Sequence, residues 1–529
     1  MRLTQVSTLD APCHDGVLQS AEECQTANAA PQWALAAAIG GSATAFVVGS
    51  VVNVALPALQ RALGASVAEV QWVLNAYLLM LGALILVGGA AGDRLGRRRV
   101  FVIGLAVFAS SSVACGLAPS AGWLIAARAV QGVGAALLVP TSLALLSAAY
   151  PKGEARGRAI GTWAASSALT TALGPVLGGW LVDAFSWRWV FFVAVPPALV
   201  TLAIALWKVP ESEGEPSGSL DVLGSALAVV GFGAAVFGLV AAGNRGWTDS
   251  LVLASLVGGF IVLGVFVWVE SRVDNPILPL SLFRSSTFSG ANGMTLLLYF
   301  ALNGVLFFLP FNLIQVQGYS AAAAGAAFLP FSLTIGFLSR SVGGVAERWG
   351  ARLTLVAGSV IASVGLALLA VPGVQSGPLG SSYWATFFLP MAVLGLGMTL
   401  AVAPLTNTVM SAVDDAQAGT ASGVNNAAAR IAALLAVAVF GVVAVGVFGA
   451  TLDSQLVDLS PSGAIEAALT PFRSDLTGAT LPNSLDASER QLAERLVGDA
   501  FVTAFRWTAG LAAGSAILSA AVAALTVDA

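Results

Sequence analysis

Long apolar runs without a charged residue recur along this chain. The run from Cys24 to Gln60 is one example: it holds 37 residues with no charge and no histidine. A helix of about 20 apolar residues crosses a hydrocarbon core of roughly 30 Å. The runs are continuous and lack the residue-by-residue alternation of a membrane barrel, so they predict membrane-spanning helices.

The apolar runs predict fourteen spans and an all-α membrane protein. Their expected bounds are 32–57, 67–91, 99–118, 121–148, 157–184, 187–207, 222–243, 249–270, 286–312, 320–343, 353–372, 382–411, 418–449 and 501–525. Because the number of spans is even, both termini are expected on the same side of the membrane.

Composition agrees with this pattern. The 529 residues are 57% hydrophobic and 9% charged, whereas soluble domains carry roughly 25% charged residues. Residues 1–31 are polar and lack the apolar segment of a signal peptide, so we expect a flexible cytoplasmic tail. Three cysteines and one histidine are too few for a metal site, and we expect no metal and no cofactor.

Basic residues are distributed unevenly between the two sides of the predicted bundle. The side with the termini carries Arg94, Arg97, Arg98, Arg99, Lys152, Arg156, Arg158, Lys208, Arg272, Arg284, Arg348 and Arg352. The short loops of the other side carry only Arg61, Arg188 and Arg245. The positive-inside rule therefore predicts cytoplasmic termini.

One connection on the predicted outer side is long. Segment 451–500 holds eight acidic and three basic residues. Within it, the pattern from Ser488 to Leu496 predicts a short amphipathic helix. The segment either covers the outer end of the bundle or is a solvated connection.

A short motif occurs twice in the chain. GAAGDRLGRRR, Gly89 to Arg99, follows span 2, and GGVAERWGAR, Gly343 to Arg352, follows span 10. Such a repeat indicates a transporter built from two related halves. We therefore predict a six-helix half at 32–207, a linker with two extra spans at 208–285, and a second six-helix half at 286–529.

Five motifs lie in or beside the predicted spans. They are Val52-Asn53-Val54-Ala55-Leu56-Pro57, Gly89-x-x-x-Asp93-Arg94-x-Gly96-Arg97-Arg98, Leu124-x-x-x-Arg128-x-x-Gln131-Gly132-x-Gly134-Ala135-Ala136, Gly174-Pro175-x-x-Gly178-Gly179 and Trp187-Arg188-Trp189-x-Phe191-Phe192. Together, over residues 32–525, the chain resembles the fourteen-span drug:proton antiporter branch of the major facilitator superfamily. The resemblance implies a secondary-active exporter of small amphiphilic compounds that works by alternating access.

The loop between spans 2 and 3 contains the first group of candidate functional residues. The resemblance implies a conformational latch that holds the cytoplasmic side shut in one state. Its candidate residues, with their echo after span 10, are Gly89, Asp93, Arg94, Gly96, Arg97, Glu347 and Arg348. The alternative is a topology anchor, since the arginines alone would fix the orientation.

Two arginines lie inside predicted spans. Arg128 is placed in span 4 with Gln131 on the same face, and Arg430 lies in span 13. An Arg at mid-span costs at least about 2.5–3.5 kcal/mol, so we expect Arg128 to face the bundle interior. The resemblance implies a role for Arg128 in proton coupling, and the alternative is an arginine that snorkels to the interface. Arg430 either contacts substrate or locks the second half.

Span 5 contains a Gly/Pro cluster in its outer half. Pro175 interrupts the helical hydrogen bonding, and Gly174 and Gly178 allow a neighbouring helix to approach. The resemblance implies that this antiporter motif, with Gly179, seals the outer half and marks exporters. Helix packing alone would explain the glycines equally well.

Several polar side chains within apolar spans are candidates for the lining of a substrate cavity. They are Asn53, Gln71, Asn75, Tyr77, Gln131, Tyr299, Asn303, Asn407, Asn425 and Arg430. For each of them, the alternative is an interhelical hydrogen bond without a role in transport. Pro57 is expected to end span 1.

No Asp or Glu lies in the middle of a predicted span. The family pattern places an Asp five residues before Asn53, where this chain has Val48. Valine can neither bind a proton nor balance a cation. Three alternatives follow: coupling through an end-of-span acid such as Asp183, a passive or differently coupled carrier, or a neutral or anionic substrate that pairs with Arg128 or Arg430.

Other classes of function find little support. A P-loop is absent, because neither lysine completes one, and a single histidine without a zinc motif argues against an enzyme. A lipid flippase of the same fold is the main alternative to export of drugs, and a receptor is a weaker one. We expect a monomer in the bacterial cytoplasmic membrane, surrounded by lipid, with a small amphiphilic substrate, protons as a possible second substrate, and no nucleic-acid partner.

Overall fold

A computed structural model describes most of the chain. The described residues are 21–150, 153–212, 221–273, 276, 278–374, 383–414, 417–459, 463–476, 478, 481–482 and 484–527. In these residues the secondary structure is helical throughout, with no β-strand.

Eighteen α-helices form the described chain. They are α1 Ala21–Leu63, α2 Val67–Leu95, α3 Arg97–Gly116, α4 Ala121–Ala149, α5 Glu154–Ala184, α6 Trp189–Phe192, α7 Val195–Lys208, α8 Val222–Arg245, α9 Ser250–Glu270, α10 Ser286–Phe311, α11 Ala321–Ala326, α12 Leu329–Trp349, α13 Ala351–Leu368, α14 Leu389–Ser411, α15 Ala418–Leu459, α16 Gly463–Leu469, α17 Phe472–Asp475 and α18 Ala487–Thr526. A 3-10 turn at Leu280–Arg284 precedes α10.

The fourteen predicted spans are confirmed. Fourteen helical segments of the described chain are long and apolar enough to cross a membrane. Span 6 is formed by α6 and α7, and span 10 begins with α11 and continues as α12. Spans 9 and 12 include π-helical turns at Asn312–Val316 and Trp384–Phe388.

The first span is longer at both ends than the sequence suggests. Helix α1 begins at Ala21, so part of the predicted tail is helical, and residues 1–20 lie outside the described residues. The prediction that Pro57 ends this span is wrong, because α1 continues through Pro57 to Leu63. A proline forfeits one helical hydrogen bond, and tight packing in a membrane bundle tolerates that loss.

The repeated motif corresponds to a repeated turn. Gly96 separates α2 from α3 with a φ of 102°, and Gly350 separates α12 from α13 with a φ of 80°. Both values lie in the left-handed region, which glycine adopts without the steric cost of a Cβ. The two copies of the motif therefore share a local geometry as well as a sequence.

The spans form two six-helix halves with two extra helices between them. Helices α1–α7 make the first half and α10–α18 the second. We call the face where α1 begins the terminal face, and the face where α1 ends the opposite face. The halves meet where α2 packs on α15, where α5 packs on α11 and α12, and where α1 packs on α10.

The extra hairpin, α8 and α9, covers one of these seams. Helix α8 packs on both α2 and α15. Its contact is a small apolar cluster that comprises Leu79, Val236, Val240, Leu434 and Ala438. Among the described helices, no extra helix packs over the contact between α5 and α12 in this way.

The long connection at the opposite face is mostly helical. Helix α15 extends to Leu459, and α18 begins at Ala487, so the helix predicted from Ser488 is confirmed as the start of span 14. Ile465, Leu469 and Phe472 of α16 and α17 are buried in the main core. The segment therefore packs on the bundle instead of forming a solvated connection.

Candidate functional site

Arg128 is fully enclosed in the first half. Its side chain is 1% exposed. Its Nε donates to the carbonyl oxygen of Val73 at 3.0 Å, and its Nη1 donates to Gln131 Oε1 at 2.6 Å. Gln131 Nε2 donates in turn to Ser112 Oγ at 2.6 Å. This polar chain links α4 to α2 and α3.

Aromatic rings complete the surroundings of Arg128. Its guanidinium carbon lies 4.2 Å from the centre of the Tyr77 ring and 6.0 Å from that of Phe191. A ring face attracts a cation, most strongly where water is excluded. The buried position is incompatible with an arginine that snorkels to the interface.

Arg430 has a different environment. It lies on α15 beside Gly82 of α2, where a Cβ would come within 3.2 Å of the Arg430 Cβ. The Nε of Arg430 is buried and has no hydrogen-bond partner in the described chain. Tyr77 lies on α2 before Gly82, and Tyr299 of α10 lies one turn after Thr295, which accepts a hydrogen bond from Asn425 of α15. Arg430 is thus a cation at the meeting point of the halves.

No carboxylate of the described chain pairs with either arginine. The described ion pairs involve neither Arg128 nor Arg430. Val48, where the family pattern has an Asp, is fully buried in α1. The interior therefore carries positive charge without a negative partner of its own.

Asp183 lies at the opposite face and bridges the halves. One carboxylate oxygen accepts a hydrogen bond from the backbone N–H of Ala321 at 3.1 Å, and the other accepts one from Ala322 at 2.7 Å. Asp183 ends α5, whereas both alanines begin α11. This predicted coupling residue contacts the second half and not Arg128.

The span 5 glycines pack on helices of both halves. Gly174 and Gly178 lie against Ser50 and Val51 of α1. Gly179 lies directly against the backbone carbonyl of Ala321. A side chain at Gly179 would collide with α11, so this glycine permits the close contact between α5 and α11.

A second glycine repeats this arrangement from the other side. Gly325 of α11 lies against the backbone carbonyl of Pro175. We call the contact formed by Pro175, Gly179, Asp183, Ala321, Ala322 and Gly325 the α5–α11 gate. It closes the opposite face between the halves.

Burial differs along α5 and α12, the helices that continue from the gate. No residue of α5 from 160 to 173 is buried, whereas five residues from Gly174 to Leu181 are. In α12, Leu333 and Phe337 are 47% and 75% exposed. Helix α5 is therefore packed closely beside the gate and is more exposed along the rest of its length toward the terminal face.

The latch residues pair within the first half. Asp93 forms an ion pair with Arg97 at 2.8 Å. The backbone N–H of Arg98 donates to Glu211 Oε1 at 2.9 Å, and that of Arg97 donates to the Ser212 carbonyl at 2.9 Å. The α2–α3 turn is thus tied to the end of span 6.

The remaining latch candidates lie near the ends of α2 and α12. Gly89 lies in α2 near Pro140, and Gly96 forms the turn against Glu211. Arg94 and Arg348 lie in the last turns of α2 and α12. The side chain of Glu347 lies outside the described residues.

Three of the cavity candidates are engaged in helix contacts. Gln71 Nε2 donates to the Val437 carbonyl at 2.8 Å, across the halves. Asn425 donates to Thr295 Oγ1 at 2.6 Å, and Asn303 donates to the carbonyl of Tyr299 in its own helix. These contacts favour the alternative of structural hydrogen bonds for these side chains.

Asn53, Asn75 and Asn407 differ in burial. Asn407 is exposed and Asn53 is partly buried. Asn75 is 0% exposed, and neither atom of its amide has a hydrogen-bond partner in the described chain. Asn75 lies one turn after Gln71 on α2, on the face that meets α15.

Several participants in these contacts were not expected from the sequence. Ser112 accepts the hydrogen bond from Gln131, the partner of Arg128. Ala321 and Ala322 donate to Asp183, and Glu211 accepts from the α2–α3 turn. A charge close after span 6 could have indicated Glu211. Backbone N–H groups and a lone serine give no signal in a sequence.

Comparison with known proteins agrees with the fold. Residues 38–437 match the Major Facilitator Superfamily. Over 411 residues the chain is 36% identical to the multidrug resistance protein Stp of Mycobacterium tuberculosis, which covers 78% of this chain and 75% of Stp. It is 31% identical over 480 residues to the tetracenomycin C resistance and export protein of Streptomyces glaucescens, which covers 90% of this chain and 88% of that protein.

A solved structure supports the same fold. A bacterial homologue of the human lysosomal transporter Spinster, in an inward-facing and unoccupied conformation, aligns with a TM-score of 0.64 and 16% identity. The alignment covers 93% of this chain and 97% of that chain. By sequence match, relatives and fold, this chain is a multi-pass membrane transporter, not an enzyme, and it belongs to the major facilitator superfamily.

Proposed function

We propose that this protein exports small amphiphilic compounds, of the multidrug or antibiotic type, by alternating access. The two relatives described above are named for drug resistance and for export of an antibiotic. The observation that carries the proposal is the α5–α11 gate. It joins α5 to α11 at the opposite face, so a rocking motion of the halves that separates these two helices would open that face.

The orientation of the bundle follows from its charges. The excess of Arg and Lys on the terminal face supports a cytoplasmic location of that face. The described conformation would then have the α5–α11 gate closed on the outer side. That is the conformation in which an exporter receives its substrate.

Two alternatives are proposed for the energy source of transport. In the first, transport is coupled to protons through an end-of-span acid such as Asp183, whose hydrogen bonds to Ala321 and Ala322 hold the gate. In the second, transport is not coupled to protons, because the interior lacks a carboxylate that could carry one. Arg128, held by Val73 and Gln131, fits a role in positioning α2, α3 and α4 in either case.

A lipid-like substrate is a second candidate, favoured by one observation. Leu169 and Leu173 of α5 and Phe337 of α12 are exposed apolar side chains on two neighbouring helices of different halves. An amphiphile in the inner leaflet could reach the interior by this route. A substrate that enters from lipid would have a long apolar chain.

Transport by purified protein tests the proposal. The protein is reconstituted into liposomes, and a panel of cationic, neutral and anionic amphiphiles is followed with and without a proton gradient. Saturable movement of at least one compound, absent from empty liposomes, is expected. No movement of any compound in either direction would refute the proposed function, and movement of phospholipid alone would favour the lipid alternative.

A further inference from the structure

Arg430 is an unusual arginine because nothing in the described chain satisfies it. Its Nε is buried without a hydrogen-bond partner. Arg128, the other interior arginine, has two hydrogen bonds and a ring stacked on its guanidinium. The two cations thus differ in kind: Arg128 is part of the packed interior, and Arg430 is available to a ligand.

The backbone of Arg430 packs closely on α2 at Gly82. The two backbones approach closely there, since a Cβ at Gly82 would lie 3.2 Å from the Arg430 Cβ. Arg430 itself is only partly buried, so its guanidinium is not sealed into the α2–α15 contact. A ligand in the interior could therefore reach it.

The polar groups near Arg430 suit an anion better than a cation. Tyr77 lies on α2 and Tyr299 on α10, and both of these helices pack on α15, which carries Arg430. Each hydroxyl can donate a hydrogen bond. Asn75, on the α2 face that meets α15, has a buried amide with no partner for either atom. No carboxylate is placed there to attract a cation, because the family position for one is occupied by the buried Val48.

Physical chemistry indicates what such a site would bind. A cation without a partner in a membrane interior is costly, and an oxyanion would relieve that cost. The planar guanidinium matches a carboxylate through two parallel N–H donors. We propose that Arg430 binds the carboxylate, or an equivalent oxyanion, of an acidic amphiphile, with Tyr77 and Tyr299 beside it. This inference rests on the proposed export function and specifies the substrate class of the same interior site.

A binding experiment tests the inference without transport. Purified protein in nanodiscs of zwitterionic lipid is dialysed against dansyl-phenylalanine or its uncharged primary amide, with empty nanodiscs as the blank. Wild-type protein is expected to bind the carboxylate at least about tenfold more tightly than the amide, as for a charge-assisted hydrogen bond. Arg430→Gln should reduce this ratio to below about threefold, and Arg430→Lys, which keeps the charge but loses the two parallel donors, should give an intermediate ratio.

Controls separate loss of the site from loss of the fold. Arg158→Gln removes an exposed arginine at the start of α5 and should leave the ratio unchanged. Each variant is accepted only if its thermal unfolding midpoint is not below that of wild type, and Arg430→Lys serves where Arg430→Gln does not fold. Equal affinity for the two probes, no saturable binding of the carboxylate, or an unchanged ratio in Arg430→Gln would overturn the inference. Transport of neutral or cationic amphiphiles alongside such a result would leave the proposed export function standing.

Discussion

Asp183 accepts a hydrogen bond from the backbone N–H of Ala322 at 2.7 Å, across the boundary between the two halves. The same carboxylate also binds the N–H of Ala321. Both donors lie at the start of α11, where unpaired N–H groups and the helix dipole favour a negative charge. This single side chain therefore stabilises closure of the opposite face.

Removal of the Asp183 carboxylate should weaken that closure. Hydrogen bonds to a charged group contribute about 1.5–3 kcal/mol where buried, and an exposed carboxylate contributes less. We expect Asp183→Ala to raise the population open at the opposite face by about fivefold. Distances between spin labels at positions 185 and 323 would measure the two populations.

Asp249 offers a matched control for this variant. It caps α9 by accepting hydrogen bonds from Leu251 and Val252 in its own hairpin. Asp249→Ala should leave the label distances unchanged. If Asp183→Ala and Asp249→Ala gave the same distance distribution as wild type, Asp183 would not hold the gate.

Gly179 should tolerate no side chain. Its position against the Ala321 carbonyl means that Gly179→Ala must push α5 away from α11, at about 1–3 kcal/mol. We expect at least a fivefold lower export rate in proteoliposomes, because the opposite face no longer closes fully. Gly161→Ala, on the same helix but in open space, is the control and should retain the wild-type rate. Equal rates for the two variants would disprove the packing role of Gly179.

Arg128 and Arg430 should differ in their effect on stability. Arg128→Lys loses the Nε donor to the Val73 carbonyl and the planar fit on Tyr77, so its thermal unfolding midpoint should fall by a few degrees. Arg430→Gln removes a cation without a hydrogen bond and should leave the midpoint unchanged or raise it. Scanning fluorimetry in detergent measures both. A larger loss for Arg430→Gln than for Arg128→Lys would contradict this assignment of the two arginines.

A substitution at Val48 tests proton coupling independently of export. Val48→Asp would place an acid in α1 where the chain now has a buried apolar side chain. We expect this variant to gain proton-driven transport of cationic dyes into inside-out vesicles under an imposed pH gradient. Val48→Asn, which cannot bind a proton in this range, is the control. Dye uptake equal to that of wild type in the Asp variant would argue against the position as a determinant of coupling.

The membrane spans could be predicted from the sequence because burial in lipid imposes a local rule. Every span needs a long run of apolar residues, whatever its neighbours are. The predicted end of span 1 is wrong because a proline ends a helix only where packing does not stabilise the helical residues beyond it. Packing of α1 against α4, α5 and α7 maintains the helix beyond it.

The site could be predicted only in part. The sequence identified Arg128, Gln131 and Arg430 as interior polar groups, and the structure places all three inside the bundle. Which of them has a partner depends on contacts between distant segments, such as Arg128 with Val73 and Asn425 with Thr295. The role of Asp183 could not be predicted, because its partners are backbone groups of alanines.

Transport with the α5–α11 gate held shut tests the central claim most directly. Asp183→Cys and Ala322→Cys are combined in a variant free of Cys13, Cys24 and Cys115, and a short cleavable bismaleimide joins the two positions. Alternating access predicts that cross-linked protein loses export in proteoliposomes, that cleavage restores it, and that each single-cysteine variant is unaffected by the reagent. Undiminished export by the cross-linked protein would contradict the proposal that the halves must part between α5 and α11.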